Sequence, residues 1–153
     1  MKKIFLLIFI FLHFHSISLA ENLKFKKIVS LDKPWGSSFI SNDEIIITEK
    51  SGKIKIVNIL NGNVVEIEHN LNFLEYGQGG LLDILHKDNF IYISYTENRV
   101  NWKTSTSIAK AKLDKQKLLF KNIFQANPPI DSGYHFGSRL AIKDNYLYAS
   151  IGE

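Results

Sequence analysis

The chain has 153 residues, 45% of them hydrophobic, 22% charged and 12% aromatic, which is the profile of a folded globular protein and excludes a disordered or collagen-like one. The formal charge is +4, and from Glu21 onward 17 basic against 15 acidic residues leave +2, too small a balance to argue for nucleic acid. There is no cysteine, so disulfides, thiolate zinc sites and a cysteine nucleophile are all excluded. In chain order, residues 1–20 come first and read as a cleavable signal peptide. Lys2 and Lys3 form the charged start, Ile4 to Leu12 is an unbroken apolar run, and Ser18-Leu19-Ala20 places small residues one and three before a cut. The competing reading is a membrane anchor. The uncharged stretch from Ile4 to Ala20 is 17 residues and includes His13 and His15, at the short limit for spanning a bilayer. Cleavage would leave a mature chain of 133 residues, 21–153, exported to the periplasm or secreted.

Beyond Ala20 the chain is a series of short apolar runs punctuated by turn residues. Leu23 and Phe25 alternate with Lys24 and Lys26, which predicts a strand with a solvated lysine face that also takes in Lys27. Glu44 to Thr48, the Ser51-Gly52 turn, and Ile54 and Ile56 alternating with lysines predict a hairpin. Asn61-Gly62 is a second turn, followed by Val64 to Glu68. Gly80 to Leu85 and Phe90 to Thr96 read as strands, and Ala109, Ala111 and Leu113 turn away from Lys110 and Lys112. Leu118 to Phe124 is ambiguous: Leu119, Phe120, Ile123 and Phe124 also fit a helical stripe. Tyr146 to Ile151 is the last strand, with a turn opening at Gly152-Glu153. About ten strands of four to eight residues predict an all-β fold, whether sandwich, barrel or propeller. A β domain that stops in mid-hairpin leaves an unpaired edge, so the chain reads as the N-terminal part of a longer protein.

Four local patterns stand out. They are Pro34-Trp35-Gly36 with Phe39, then Thr48-Glu49-Lys50-Ser51-Gly52-Lys53-Ile54, then Gly77-Gln78-Gly79-Gly80-Leu81-Leu82-Asp83 with Phe90 to Tyr95, and finally His135-Phe136-Gly137-Ser138-Arg139-Leu140 with Tyr146-Leu147-Tyr148 and Ser150-Ile151-Gly152. In order and spacing they resemble the start of the soluble PQQ-dependent aldose sugar dehydrogenases, the glucose/sorbosone dehydrogenase family. The resemblance implies the N-terminal two to three blades of a six-bladed β-propeller, since about 50 residues make one blade. The sequence departs from the family where Lys87 replaces a proline after His86, and where Tyr134 replaces the acidic residue that precedes the catalytic histidine in the glucose-oxidising branch. The second departure favours the broader aldose branch.

Oxidation of an aldose at its anomeric carbon removes a hydroxyl proton and a hydride. It needs a base that titrates near neutrality, and histidine is the side chain that does. The resemblance places that base at His135, between Gly133 and Gly137, and makes Gln78 a substrate-binding pocket residue. Taken without the resemblance, His135 is an ordinary loop histidine and Gln78 a solvated amide in a glycine turn. The resemblance also implies PQQ and calcium as cofactors, with the basic cofactor-gripping residues and the calcium ligands expected downstream of Glu153, so that this chain alone would be inactive. Arg139 reads as a structural partner of Asp83 or Asp131, or as a support for the His135 loop, and Asp83 as a turn acceptor in preference to a buried hydrogen-bonding residue at a blade turn. His69 and His86 have ordinary loop and turn explanations, and no two histidines stand at a metal-ligand spacing. Tyr92, Tyr95, Tyr146 and Tyr148 read as sheet packing, while a sugar stacked on Trp35 or Trp102 has no positional support in the sequence. A non-catalytic propeller that binds a glycan or a protein partner is the alternative, and a metal-dependent hydrolytic propeller ranks third.

Overall fold

The computed structural model describes residues 24–152; the predicted signal peptide lies outside them. The described residues form eleven strands and no α-helix. Strands β1 (Pro34–Phe39), β2 (Glu44–Glu49), β3 (Ile54–Asn58) and β4 (Val64–His69) make an antiparallel meander. Strands β5 (Leu81–Lys87), β6 (Phe90–Asn98), β7 (Thr104–Lys112) and β9 (Lys121–Gln125) make a second one. The short β8 (Lys117–Leu118) leaves this second sheet and pairs in parallel with the edge of β4. A hairpin of β10 (Leu140–Lys143) and β11 (Tyr146–Ala149) follows.

Period-two patterning makes the sheets. In β2, Ile46 and Thr48 point inward, and in β3 Ile54 and Ile56 do. In β6 and β7 the inward set is Ile91, Ile93, Tyr95, Ala109 and Ala111. These side chains belong to one continuous core between the two sheets, closed by Leu118 and Phe120. Fully burying an isoleucine is worth about 1.5–3 kcal/mol, so this layer dominates the stability of the pair. The turns follow their chemistry. Asp88-Asn89 and Asp144-Asn145 all sit at positive φ and close two-residue hairpins, the conformation that matches strand twist and that Asn and Asp tolerate.

The first strand of each unit lies innermost: β1 packs beside β5, and β5 beside β10. The approach of β1 to β5 is close, because a Cβ on Gly36 would stand 2.7 Å from the Asp83 Cα. Thr48 ties the same seam, accepting the Gly36 N–H at 2.9 Å and donating to the Leu82 carbonyl at 2.5 Å. Radially arranged four-stranded meanders of this kind are the blades of a β-propeller; the described residues form two blades and the opening hairpin of a third, in an open sheet array.

Three expectations are corrected. Leu118 to Phe124 is not helical: Leu118 ends β8 and Ile123-Phe124 lie in β9. Leu118 and Phe120 fill the space between blades, and Asn70 fixes Phe120 by accepting its N–H at 2.7 Å and donating to its carbonyl at 3.1 Å, so tertiary contacts override the helical spacing. Residues 24–30 form no strand; Phe25 is 95% exposed, and alternation without a partner sheet makes no ladder. Asp83 is not in a turn but in the interior of β5.

Candidate functional site

The pairing registers set which loops meet. The start of β5, the end of β6, the start of β7, the end of β9 and the start of β10 all fall at one end of the sheets. Three loops therefore gather there: residues 70–80, residues 99–103 and residues 126–139. They are stitched together by main-chain bonds. Asn98 N–H donates to the Asn72 carbonyl at 3.0 Å, Thr104 exchanges two bonds with Ile130, and Gln78 N–H donates to the Gly133 carbonyl at 2.6 Å.

This arrangement joins the two candidate site residues, 57 positions apart. Gln78 Oε1 accepts the His135 N–H at 3.1 Å. The amide oxygen is thus committed to holding the histidine loop, while the amide nitrogen is the end left to face a ligand. His135 adopts φ +63°, a left-handed conformation that is uncommon outside glycine, although Asn, Asp and His adopt it more often than other residues. Such a conformation costs about 1–3 kcal/mol and persists only where the surroundings over-determine it. They do so here. Gly152 lies so close behind that a Cβ on it would stand 2.0 Å from the His135 carbonyl oxygen. Gly77, at φ +56°, faces Gly133 in the same way, with 2.3 Å between a built Cβ and the Gly133 oxygen. Lys50 Nζ donates to the Gly77 carbonyl.

A row of hydroxyls carries the loop from beneath. Strand β7 opens Thr104-Ser105-Thr106-Ser107, all buried, and the alternation sends them to two faces. On one face Thr104 Oγ1 donates to the Ser132 carbonyl at 2.9 Å and Thr106 Oγ1 to the Phe136 carbonyl at 2.7 Å, flanking His135. Ser94 Oγ adds a bond to the Ser138 carbonyl at 2.6 Å. On the other face Ser105 accepts from Arg99 at 2.9 Å and Ser107 donates to Glu97 at 2.6 Å. Glu97 also accepts from Asn122 and Gln125, and Asn122 in turn accepts the Tyr95 hydroxyl at 2.7 Å. Burial, then the Glu97 charge, push the Tyr95 phenol up to about 12. Sequence reading missed this hydroxyl row; its signal was four consecutive Ser/Thr residues inside a strand.

Asp83 and Arg139 resolve differently from the expectation for Asp83 and in line with one option for Arg139. Asp83 is 4% exposed. It accepts the Leu140 N–H at 2.7 Å, its neighbour Ile84 N–H at 3.0 Å, and the Arg139 guanidinium at 3.3 Å. A register shift between Leu81 and Ile84 interrupts the β5 ladder around it, and the carboxylate binds the start of β10, so it links two blades instead of capping a turn. His69 is structural: Nδ1 accepts the Leu71 N–H at 3.2 Å, which puts the proton on Nε2 for the Gly52 carbonyl at 2.7 Å. His86 Nδ1 lies 3.2 Å from the Phe39 carbonyl. Tyr92 and Tyr95 pack in the sheet, whereas Tyr146 and Tyr148 stand exposed on β11.

A cavity of about 250 Å³ lies at this end, bounded by Thr104, Thr106, Asn127, Pro128, His135 and Phe136. The His135 side chain is exposed beside it, its ring tilted against Tyr134 with centroids 6.3 Å apart. A neutral imidazole presented on a braced loop can accept a proton from a bound hydroxyl. Among the described residues no group of three or more His, Asp or Glu converges to hold a metal ion, so no described residue is assigned to calcium.

The fold and this glycine-braced pairing define a partial β-propeller among the described residues, whose loop end carries a histidine beside a cavity and an amide bonded to that histidine's main chain. Residues 31–153 match the family description Glucose / Sorbosone dehydrogenase, and the chain belongs to that family of sugar oxidoreductases. The aldose sugar dehydrogenase YliI of Escherichia coli K12 is 30% identical over 133 residues, covering 80% of this chain and 36% of its own length. An uncharacterized Synechocystis protein is 33% identical over 141 residues, covering 82% of this chain and 34% of its own. The chain thus spans about a third of the length of these relatives. The solved apo-form of the soluble aldose sugar dehydrogenase of E. coli superposes with a TM-score of 0.73 at 28% identity, over 80% of this chain and 38% of that one. The PQQ-bound aldose sugar dehydrogenase of Streptomyces coelicolor shares the fold, with a TM-score of 0.70 at 23% identity over 81% of this chain and 39% of that one.

Proposed function

We propose that this chain is the N-terminal part of a PQQ-dependent dehydrogenase that oxidises aldoses at the anomeric carbon, with His135 as general base. The observation that carries the reading is the hydrogen bond from the His135 N–H to Gln78 Oε1, which ties the two family site residues into one unit. In this reading His135 takes the proton from the anomeric hydroxyl as the C–H bond breaks, and the Gln78 amide N–H₂ donates to a neighbouring sugar oxygen. The Thr104 and Thr106 hydroxyls keep the loop, and hence the imidazole, in place. PQQ, when bound, supplies the hydride acceptor. Three cations at this end are already engaged, Lys50 by Gly77, Arg99 by Ser105 and Glu97, and Arg139 by Asp83, and the exposed Lys103 alone makes no cradle for its carboxylates. The cofactor grip is therefore assigned to no described residue, and calcium is retained only as a family implication.

Residues 1–20 act, in this proposal, as a cleavable signal peptide that delivers the protein to the periplasm or the exterior. No helix among the described residues is long and apolar enough to cross a membrane. The 153-residue chain on its own is proposed to be inactive. Intact mass of the native protein in its source cells comes first: a mass two to three times that of this chain is expected.

The whole protein is then assayed with PQQ, an aldose and a dye acceptor. Replacing His135 by Ala should lower kcat by about 10²–10⁴-fold, the range for removing a general base. Gln78→Ala should lower it less, and Gln78→Glu, which keeps an acceptor for the His135 N–H, should retain the loop by thermal melting. Dye reduction that is independent of aldose and unchanged in His135→Ala would sink the dehydrogenase reading and leave a propeller that binds a glycan or a protein partner.

A further inference from the structure

The peptide unit between Gly77 and Gln78 is held at both ends of its plane by groups distant in the chain. Its N–H, on Gln78, donates to the Gly133 carbonyl at 2.6 Å. Its carbonyl, on Gly77, accepts from Lys50 Nζ, which reaches across from the residue after β2 in the first blade. A bond from an ammonium is charge-assisted and about twice as strong as a neutral one. The same peptide is the middle of a four-residue turn, closed by the Gly79 N–H donating to the Tyr76 carbonyl at 2.8 Å. Fixing this plane fixes the direction in which the Gln78 side chain leaves the loop, and its amide oxygen then meets the His135 N–H at 3.1 Å.

Lys50 is itself held in place. Its N–H donates to the Lys33 carbonyl at 3.0 Å and its carbonyl accepts the Leu81 N–H at 3.3 Å, so both main-chain groups are occupied and only the side chain is left to reach the loop. Gly80 lies against it: a Cβ there would stand 2.2 Å from the Lys50 carbonyl oxygen and 2.9 Å from its Cγ. The missing side chain at position 80 gives the lysine stem its path to Gly77. A second lysine of this region, Lys33, pairs with Glu75 of the same loop at 3.1 Å. That contact is to a side chain, on a lysine 60% exposed, and it leaves the Gln78 peptide untouched.

We propose that Lys50 is a positioning residue for the Gln78–His135 pair, its ammonium holding the Gly77 carbonyl so that the Gln78 amide stays on the His135 N–H. The role is exerted through Gln78, not on substrate. Its effect on turnover rests on the dehydrogenase reading; its effect on the loop rests on main-chain geometry alone. The test uses the whole protein with Lys50→Met, which keeps the stem and removes the donor. Lys33→Met is the control on the same loop, and Gln78→Ala is made alone and combined with Lys50→Met. The kcat for an aldose is measured with PQQ and a dye acceptor, and amide hydrogen exchange is measured without PQQ.

Lys50→Met should lower kcat about tenfold and Lys33→Met less than about twofold, and Lys50→Met should add less than about twofold to Gln78→Ala, because residues that act through one another are not additive. The amides of Gln78 and His135 should exchange about tenfold faster in Lys50→Met, while those of β3 keep their wild-type rates and show the variant to be folded. Unchanged exchange at Gln78 and His135 would overturn the proposal, as would an unchanged kcat in a protein that oxidises aldoses. A fall in kcat that persists in the Gln78→Ala background, or that Lys33→Met matches, would overturn it too. If the wild-type protein oxidises no aldose, the dehydrogenase reading falls and exchange alone decides: faster exchange at the two amides supports the role of Lys50, and wild-type rates overturn it.

Discussion

Glu49 shows how one side chain can be buried and charged at once. It is 0% exposed, at the end of β2. Burial alone would raise its pKa, but the Lys55 ammonium at 2.8 Å, the Asp32 N–H at 2.7 Å, and the charges of Lys55 and Lys53 outweigh it and hold the carboxyl below its ordinary 4.5. A depressed folded value means that the carboxylate contributes stability above pH 4.5 and loses that contribution as pH falls further, because the native state must then take up a proton it binds poorly. Replacing Lys55 by Met leaves Glu49 with one donor and should cost about 3–5 kcal/mol, the range for orphaning a buried charge. Paired acid melts check this: wild type should lose stability below pH 4.5 and Glu49→Gln should lose less. Equal acid sensitivity would show that Glu49 does not drive the loss. The T-E-K run was visible in the sequence, but burial of its glutamate was not, since it depends on Asp32 and Lys55 folding over it from either side.

Strand β7 is the element on which the site depends. Its Thr104 and Thr106 hydroxyls bind carbonyls on either side of His135, while Ser105 and Ser107 serve the Glu97 cluster on the opposite face. Thr106→Val keeps the shape and removes the donor to the Phe136 carbonyl. The loss should be about 1–3 kcal/mol, since a buried acceptor is left unpaired. Thermal melting of the whole protein measures it, and kcat for an aldose should fall with KM little changed if the loop then misplaces the imidazole. Ser107→Ala is the control: it breaks the bond to Glu97 and should lower melting without moving kcat. Period-two alternation made β7 readable as a strand beyond Ala109. The run of hydroxyls before it has no apolar signal, so its length of nine residues emerged only from pairing with β6.

Across the molecule, blades are joined by a few directed bonds laid over a shared core. Thr48 ties β1 to β5, Asn70 ties the first blade to Phe120, and Asp83 ties β5 to β10. Asp83 is the most demanding of these, because a buried carboxylate satisfies two main-chain N–H groups and a guanidinium. Asp83→Ala removes all three bonds and should destabilise by about 1.5–3 kcal/mol, since main-chain N–H groups lose a charged acceptor while Arg139 is left exposed to water. Hydrogen exchange should show the consequence to be regional, with the amides of β10 and β11 losing protection ahead of those of β2 and β3. Uniform loss would show that the hairpin is not held through Asp83.

The sequence by itself determined the all-β class, the hairpin turns at Gly52, Gly62 and Asp88-Asn89, and the family to which the chain belongs. These are local or linear properties: alternation, turn chemistry and the spacing of glycine-bounded motifs. It also singled out Gln78 and His135, each as a separate motif. Only the tertiary structure decided that the two form one hydrogen-bonded unit, that Asp83 is a buried strut between blades, that Leu118 and Phe120 plug a seam, and that Lys50 reaches the Gln78 loop. Each of these depends on partners 27 to 57 residues away, as in Lys50 to Gly77, Arg139 to Asp83 and Gln78 to His135. Sheet registers set such distances, and no run of neighbouring residues encodes a register between strands of different blades.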